Sequence, residues 1–86
     1  MRLVFDPAGW DDCQWWQVND RRLLKRVNVL IDDAMRNPAD GRGQLERFKH
    51  RASDVWSRRI NQEHSLVNRV IGNDLVILQA RFHYDD

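Results

Sequence analysis

The chain is poor in cysteine, proline, glycine and tyrosine, and it has no long apolar run. Its 86 residues include one cysteine, two prolines, four glycines and one tyrosine. The single thiol, Cys13, excludes an internal disulfide framework and suits a reducing compartment. No apolar stretch reaches the roughly 18 residues that a membrane span needs, and the N-terminus lacks a signal-peptide pattern. These absences predict a cytoplasmic protein without a membrane association.

Patterns of metal and nucleotide binding are missing as well. The histidines at positions 50, 64 and 83 are widely separated and do not have the spacing of a metal-ligand set. Gly41-Arg42-Gly43 is too short to be a glycine-rich phosphate loop. Cys13 has no histidine near it in sequence, which favours a small buried apolar group on a helix over a catalytic thiol. The sequence therefore predicts no metal and no cofactor.

Residues 1–86 are expected to form one domain that begins with a short strand and a helix. Residues 1–5 have the apolar character of a strand. Asp6-Pro7 then predicts a helix start, with Asp as the N-cap and Pro at the first helical position, and this helix continues to about residue 18. The helical spacing predicts that Trp10 and Trp16 face the core.

The rest of the chain predicts a second helix and a meander of strands. Asp20 is an N-cap candidate for a helix over residues 21–36, which ends at Asn37-Pro38 because a residue before proline avoids helical geometry. The short link predicts an antiparallel helix pair. Gly72-Asn73 predicts a tight hairpin. We expect strands near residues 46–50, 55–60, 65–71 and 74–83.

Together these elements predict an α+β fold of order β-α-α-β-β-β-β. Strands that follow one another so closely leave no room for helical crossovers, so they pair in antiparallel fashion. We therefore expect two N-terminal helices packed on one face of a twisted, mainly antiparallel sheet. The other face of the sheet is expected to be open.

Positive charge is concentrated in residues 41–60. This stretch has six basic and two acidic residues, a balance of +4, while the whole chain carries only +1. Phe48 and Trp56 lie within it, and basic residues interleaved with aromatic rings can bind phosphates and stack bases. A solvated charged face is the alternative, and it is favoured for a charge run taken alone.

Several of these residue types are those that metal-free RNA cleavage requires. A base removes the proton of the RNA 2′-hydroxyl, an acid protonates the leaving 5′-oxygen, and cations stabilise the charged phosphorus centre. Glu46 is a candidate base and His83 a candidate acid, because histidine titrates near neutrality. Lys49 and Arg59 are candidates for phosphate binding, and Tyr84 for stacking on a base or ribose.

The residues alone leave simpler interpretations open. Taken by itself, Glu46 is better read as a surface carboxylate paired with Arg47 or Lys49, and His83 near the end of the chain can be read as an exposed residue. Arg58 and Arg59 fit a charge pair on an edge strand that discourages aggregation. His64 is read as a structural or surface residue.

Taken together and in order, these motifs resemble the YoeB/Txe family of RelE-like toxins. The resemblance spans nearly the whole chain. It rests on Trp10-Asp11-Asp12, Trp16-Gln17, Asp20-Arg21, Asn37-Pro38, Gly41-Arg42-Gly43, Leu45-Glu46, Lys49-His50, Trp56-Ser57-Arg58-Arg59-Ile60, Glu63-His64, Leu66-Val67 and Arg81-Phe82-His83-Tyr84.

The resemblance implies a RelE-like microbial RNase fold and the toxin role of a type II toxin–antitoxin system. Such toxins enter the A site of the bacterial 70S ribosome and cleave the mRNA codon there, which stops translation. A YefM/Axe-like antitoxin blocks the toxin, and the complex represses its own operon through antitoxin bound to operator DNA. By position, Glu46 is the implied general base, His83 the general acid, and Tyr84 orients the substrate. The expected RNA phosphate contacts are Lys49, Arg58, Arg59 and Arg81.

The chain departs from the family pattern at position 65. Ser65 stands where the family has an arginine that stabilises the charge of the transition state. Losing one preorganised donor of this kind lowers a rate roughly 10²–10³-fold. This departure raises a second hypothesis, a catalytically weakened relative that binds antitoxin or ribosome without efficient cleavage. A third hypothesis is an RNA-binding module that does not involve the ribosome.

Overall fold

Two helices and five strands occupy the part of the chain that the computed structural model describes, namely residues 1–39 and 55–82 with the backbone of 46–47. Their order is β1 (Arg2–Phe5), α1 (Pro7–Asn19), α2 (Arg21–Arg36), β2 (Glu46–Arg47), β3 (Val55–Arg59), β4 (Ser65–Ile71) and β5 (Asp74–Gln79). The predicted β-α-α-β-β-β-β order and α+β class are confirmed. Within the described ranges, no helix has the length and apolar character needed to cross a membrane.

The helix termini follow the local signals in the sequence. Asp6 has extended backbone at the start of α1, and Pro7 occupies the first turn. Asp20 ends α1 and begins α2, where its side chain accepts a hydrogen bond from the backbone N–H of Leu23 at 3.1 Å. That bond satisfies one of the free N–H groups of the first turn of α2. Asn37 ends α2, as predicted.

The five described strands form one sheet in the order β1-β5-β4-β3-β2. Strands β2 to β5 make the predicted antiparallel meander. Gly72 has a φ of 59° in the turn between β4 and β5, a conformation that glycine adopts without strain. The parallel pairing of β1 with β5, with Arg2 opposite Asp74, was not predicted. Residues 48–50 of the predicted strand 46–50 lie outside the described residues.

The helices pack on one face of the sheet and bury one apolar cluster. From α1 and α2 it takes Cys13, Trp16, Val27, Leu30, Ile31 and Ala34, and from the sheet and its ends Ile60, Leu66, Leu75, Ile77 and Ala80. Burying one such side chain fully stabilises the fold by about 1.5–3 kcal/mol. The predicted burial of Cys13 and Trp16 is confirmed, since they are 6% and 1% exposed.

The prediction that Trp10 faces the core is wrong. Trp10 is 46% exposed and contacts Phe5 edge-on, with 5.5 Å between ring centroids. The face of α1 that meets the sheet contains Gly9, Cys13 and Trp16, which are spaced by four and three residues. Trp10 follows Gly9 by about 100° around the helix, so it lies beside the interface.

The prediction that the other face of the sheet is open is also wrong at its centre. Val55 and Val67 are 2% and 0% exposed and form a second small apolar cluster, against which Leu78 packs. Ser57 and Ser65 on the same face are also buried. Strands β3 and β4 therefore have a buried apolar cluster on the helix side and a second one on the opposite side. The alternation of residues in the sequence did not predict the second cluster.

Gly9 lies where α1 approaches the backbone of β5. A β-carbon added at Gly9 would lie 2.3 Å from the carbonyl oxygen of Ile77 and 2.9 Å from its carbonyl carbon. Backbone atoms cannot rotate away as the end of a flexible side chain can. This contact therefore accounts for a glycine in the first turn of α1, although glycine has a lower helix propensity than alanine.

We expect Gly9→Ala to lower the free energy of unfolding by about 1–3 kcal/mol, because the overlap with β5 outweighs the gain in helix propensity. Urea unfolding followed by tryptophan fluorescence measures the change. Gly72→Ala is the control for backbone conformation without crowding, since nothing lies within 4 Å of its β-carbon position. A Gly9→Ala variant as stable as the parent would contradict the close packing of α1 on β5.

Candidate functional site

The strand register gathers several of the expected site positions on one face of the sheet. Glu46 pairs with Ser57 across β2 and β3, and Arg59 pairs with Ser65 across β3 and β4. Cross-strand partners share a face, and so do residues two apart along a strand. Positions 46, 57, 59 and 65 therefore share the face that points away from the helices. This face is the candidate site, and we term it the site face.

Arg59 lies at the end of β3 on the site face and is half-buried. Its Nη1 donates to the carbonyl oxygen of Gln62 at 3.4 Å. Its own carbonyl oxygen accepts a hydrogen bond from Nη2 of Arg26 on α2 at 3.2 Å. The contact with Arg26 fixes the end of β3 to the helix layer, and the contact with Gln62 holds the guanidinium of Arg59 against the connection between β3 and β4.

Arg58 does not belong to the site face, which corrects its expected role as a phosphate contact. Its side chain is fully buried on the helix side, where Nη1 lies 2.5 Å from Oδ2 of Asp33. Its Nη2 donates to the carbonyl oxygen of Asn37 at 2.6 Å. Alternation along β3 sends adjacent side chains to opposite faces, so Arg58 closes the end of α2 while Arg59 faces the other way. The alternative reading as an edge-strand pair is wrong as well, because β3 lies between β2 and β4.

Ser65 begins β4 and is 5% exposed. Its side chain lies on the site face opposite Arg59. Its backbone N–H donates to the carbonyl oxygen of Phe82 at 2.9 Å. The position that departs from the family pattern is thus hydrogen-bonded to the C-terminal motif itself, at Phe82.

Residues 80–82 follow β5 and are held by hydrogen bonds to other parts of the fold; we term them the C-terminal anchor. The N–H of Ala80 donates to Oδ2 of Asp12 at 2.9 Å, and its carbonyl oxygen accepts from Nε1 of Trp16 at 2.7 Å. The Nε2 of Gln79 donates to the carbonyl oxygen of Arg81 at 2.9 Å. These side-chain contacts replace a neighbouring strand, and for this reason β5 ends at Gln79 although a strand was predicted to continue to residue 83.

Phe82 is held through both polar groups of its main chain. Its N–H donates to Nδ1 of His64 at 2.7 Å, and its carbonyl oxygen accepts from the N–H of Ser65. Its φ of 62° lies in the left-handed region, which phenylalanine rarely adopts. Such a conformation persists where surrounding contacts determine it, and residues in such conformations cluster near functional sites.

Arg81 packs between aromatic rings. Its guanidinium carbon lies 3.8 Å from the centroid of a Trp15 ring and 4.7 Å from that of Phe82. A guanidinium over a ring face is attracted by the negative face of the ring. Arg81 is therefore a positive charge fixed on the α1 side of the C-terminal anchor.

The structure brings together the backbone of Glu46 with Arg59 and Ser65, and it separates Arg58 from them. The side chain of Glu46 and the residues Lys49, His83 and Tyr84 lie outside the described residues, so their proposed roles stay predictions. Within residues 1–39 and 55–82, no group of three His, Cys, Asp or Glu side chains is placed to hold a metal ion.

Asp12, Trp16 and His64 have roles that sequence reasoning missed. Each holds a backbone group of the C-terminal anchor. All three lie in motifs that carry the family resemblance, but their partners are main-chain atoms of residues 18 to 68 positions away. A motif indicates that a residue matters and does not indicate which backbone group it meets.

Comparison with known proteins gives one consistent result. Residues 5–84 match the sequence profile of a family described as the YoeB-like toxin of bacterial type II toxin-antitoxin systems. The chain is 48% identical over 84 residues to Toxin YoeB of Synechocystis sp. (strain ATCC 27184 / PCC 6803 / Kazusa), covering 98% of both proteins. It is 44% identical to Toxin YoeB of Escherichia coli (strain K12), covering 98% of this chain and 100% of the relative.

Solved structures agree with this result. A YoeB/ParE toxin from Agrobacterium tumefaciens matches with a TM-score of 0.92 at 43% identity, covering 98% of this chain and 100% of that chain. The toxin in a heterotetrameric YoeB-YefM complex from Staphylococcus aureus matches with a TM-score of 0.85 at 35% identity, covering 98% of each chain. These likenesses confirm the fold that the motifs implied.

We expect Asp33→Ala to lower the free energy of unfolding by about 3–5 kcal/mol, because it leaves the charge of Arg58 buried without its carboxylate. Chemical denaturation measures the loss. The matched control is Asp32→Ala, since Asp32 is the exposed neighbour on the same helix and its loss is expected to change stability by less than about 0.5 kcal/mol. Equal effects of the two substitutions would contradict a structural role for the Arg58–Asp33 pair.

Cys13 is expected to be almost inert in the folded protein. Burial, with a smaller effect of Asp12, raises the pKa of its thiol to about 11. Only the thiolate reacts, and at pH 8 it forms about one thousandth of such a thiol. Alkylation by iodoacetamide at pH 8 should be at least about 100-fold slower than in the denatured chain and should accelerate as the pH rises towards 11. Equal rates in the folded and denatured chain would contradict this burial.

Proposed function

Since this chain belongs to the family of YoeB-like toxins of bacterial type II toxin–antitoxin systems, we propose that it is a ribosome-dependent endoribonuclease. Its substrate is the mRNA codon in the ribosomal A site, and cleavage of that codon stops translation. The reaction uses general acid–base catalysis through the RNA 2′-hydroxyl. The protein works in the cytoplasm, where ribosomes and mRNA are found.

One observation carries this proposal, namely the position of Ser65 between two parts of the candidate site. Ser65 lies opposite Arg59 on the site face, and its N–H holds the carbonyl oxygen of Phe82. Phe82 directly precedes His83 in the sequence. Glu46 shares the site face by register. These contacts support a site in which a carboxylate, a cation and a histidine converge.

The proposed reaction breaks one phosphodiester bond without a metal. Glu46 takes the proton of the 2′-hydroxyl, and the oxygen attacks the adjacent phosphorus. The bond to the 5′-oxygen breaks as His83 gives its proton to that oxygen. The products are a 2′,3′-cyclic phosphate and a 5′-hydroxyl, with Glu46 protonated and His83 neutral. Each proton transfer of this kind contributes roughly 10²–10⁴-fold to the rate.

Cations and a ring position the substrate in this proposal. Arg59 and Lys49 bind phosphate oxygens, and Tyr84 orients the base or ribose. Arg81, fixed between Trp15 and Phe82, is a further phosphate contact on the other side of the C-terminal anchor. Arg58 is excluded, because its buried guanidinium is committed to Asp33 and Asn37.

Ser65 supports a second candidate function, a weakened toxin that binds without efficient cleavage. Its short, buried side chain supplies no positive charge beside Arg59. Arg69 lies on the same face of β4, but four residues extend about 13 Å along a strand, which is too far for a direct replacement. The missing donor lowers the expected rate roughly 10²–10³-fold relative to a chain with arginine at this position.

A YefM-like antitoxin is the proposed protein partner. The related Staphylococcus aureus toxin was solved in YoeB-YefM complexes. We extend that partnership to this chain on the strength of its full-length match to the family. In the same proposal the complex represses its own operon, with operator DNA contacted by the antitoxin.

A reconstituted ribosome assay tests the proposal. Ribosomes programmed with a defined A-site codon are incubated with the purified protein, and mRNA ends are mapped by primer extension. We expect A-site cleavage by this chain and none by His83→Ala. Ser65→Arg is expected to cleave roughly 10²–10³-fold faster. Ser65→Ala is the matched control that changes the same position without adding charge.

The outcomes separate the candidates. Cleavage by Ser65→Arg alone means a weakened toxin silenced at position 65. An intact codon with every folded variant contradicts the nuclease. Sedimentation with ribosomes then tests binding, and tight, salt-dependent binding to free RNA without ribosomes would favour the plain RNA-binding module. Thermal unfolding of each variant verifies that a loss of cleavage is not a loss of fold.

A further inference from the structure

Both polar groups of the Phe82 main chain are fixed by residues at the start of β4. His64 accepts from the N–H of Phe82 at 2.7 Å, and Ser65 donates to its carbonyl oxygen at 2.9 Å. His64 and Ser65 are adjacent, so one short segment binds both the N–H and the carbonyl oxygen of Phe82. Phe82 precedes His83, the general acid of the proposed function, and the inference below rests on that function.

His64 is itself held firmly. It is 7% exposed, and its ring contacts Trp16 edge-on with 4.9 Å between centroids. Its N–H donates to Oδ1 of Asn61 at 2.8 Å, and its carbonyl oxygen accepts from the N–H of Ile60 at 2.9 Å. The imidazole therefore has little freedom to follow Phe82 if that residue moves, and it acts as a fixed acceptor.

The two ring nitrogens of His64 have separate partners. Nδ1 accepts from Phe82, so it carries no proton, and the proton of the neutral ring lies on Nε2. Nε2 is 3.3 Å from Oε2 of Glu63, whose side chain is 77% exposed. A carboxylate at Nε2 favours the tautomer in which Nδ1 is the acceptor. Because its ring is buried and its Nδ1 is committed to Phe82, His64 is not among the proposed RNA contacts.

The hydrogen bond from Phe82 to His64 matters because the backbone of Phe82 has an unfavourable conformation. Its φ of 62° is a conformation that phenylalanine leaves readily unless neighbouring contacts hold it. Without the acceptor on His64, the N–H of Phe82 would lose its partner and the residue could return to ordinary geometry. The direction in which the chain leaves residue 82 would then change.

We propose that His64 is a positioning residue that fixes Phe82 through Nδ1 and thereby sets the direction in which the chain enters His83. Removal of the acceptor misplaces the general acid and leaves the binding surface of Arg59 intact. A displacement of about 1 Å can lower the rate of the chemical step roughly 10²-fold. The effect therefore falls on kcat and not on KM.

Two substitutions separate the acceptor from the ring. In His64→Asn, the side-chain oxygen can occupy the position of Nδ1 and accept from Phe82. In His64→Gln, the amide reaches towards the position of Nε2 and leaves the Nδ1 position empty. Both variants lose the ring that packs on Trp16, so they are matched in lost packing.

Cleavage of A-site mRNA is measured for both, in the parent or, if the parent is slow, in the Ser65→Arg background. We expect His64→Asn to keep kcat within about 5-fold, and His64→Gln to lower it by about 10–100-fold, with KM for the programmed ribosome unchanged within about 3-fold. Equal kcat losses in the two variants would show that the ring packing matters and not the acceptor, and would overturn the proposal.

A second measurement does not depend on cleavage. An NMR experiment that detects the ¹⁵N–¹⁵N coupling across the N–H···N hydrogen bond should connect Phe82 N with His64 Nδ1. The amide of Phe82 should exchange with solvent at least about 10-fold faster in His64→Gln than in His64→Asn, because a hydrogen-bonded N–H must open before it exchanges.

The two readouts distinguish the failure of each idea. An absent coupling, or equal exchange of the Phe82 amide in the two variants, overturns the role of His64 whatever the cleavage assay shows. A present coupling with the expected exchange difference, together with no cleavage by any variant, overturns the nuclease and leaves His64 as the residue that fixes Phe82.

Discussion

The indole of Trp16 joins the three parts of the molecule on which the candidate site depends. Its Nε1 donates to the carbonyl oxygen of Ala80, and its ring packs edge-on against His64. The side chain is 1% exposed, and a buried N–H that lost its acceptor would cost about 1–3 kcal/mol. Helix α1, the end of β5 and the start of β4 therefore keep one relative arrangement. Core packing and the geometry of the C-terminal anchor rest on the same contacts.

Two adjacent arginines have opposite fates because a strand alternates its side chains. Arg58 faces the helices, where Asp33 and Asn37 surround its guanidinium. Arg59 faces the other way, opposite Ser65. Arg58 contributes to folding, and Arg59 lies on the face that carries the proposed site. A basic dipeptide in a strand is therefore not a patch of two charges, and the register decides which charge reaches the surface.

Local signals predicted much of the fold because they act over a few residues. The cap at Asp20, the stop at Asn37 and the turn at Gly72 each depend on backbone geometry close to the residue. The pairing of β1 with β5 joins residues at opposite ends of the chain and left no local trace. Trp10 was misplaced because Gly9, which has no side chain to mark a core position, defines the face of α1 that meets β5.

The candidate site was less predictable from the residues alone. Alternation showed that Ser57 and Arg59 share a face, but only the register of β3 with β2 and β4 showed which other positions share it. The roles of Glu46 and His83 came from family resemblance. His64 was read as a structural or surface residue, because its function lies in one hydrogen bond to a main-chain group 18 residues away.

The parallel pairing of β1 with β5 has a consequence for how the protein is made. Arg2 and Asp74 meet through a bidentate ion pair although 72 positions separate them. Contacts of such long sequence separation form late and slow the folding of a small domain. During synthesis, β1 emerges from the ribosome before β5, so it cannot pair until residues 74–79 have also emerged. The sheet, and with it the C-terminal anchor, is completed only after β5 has emerged, so the site cannot form before residues 74–82 have been synthesised.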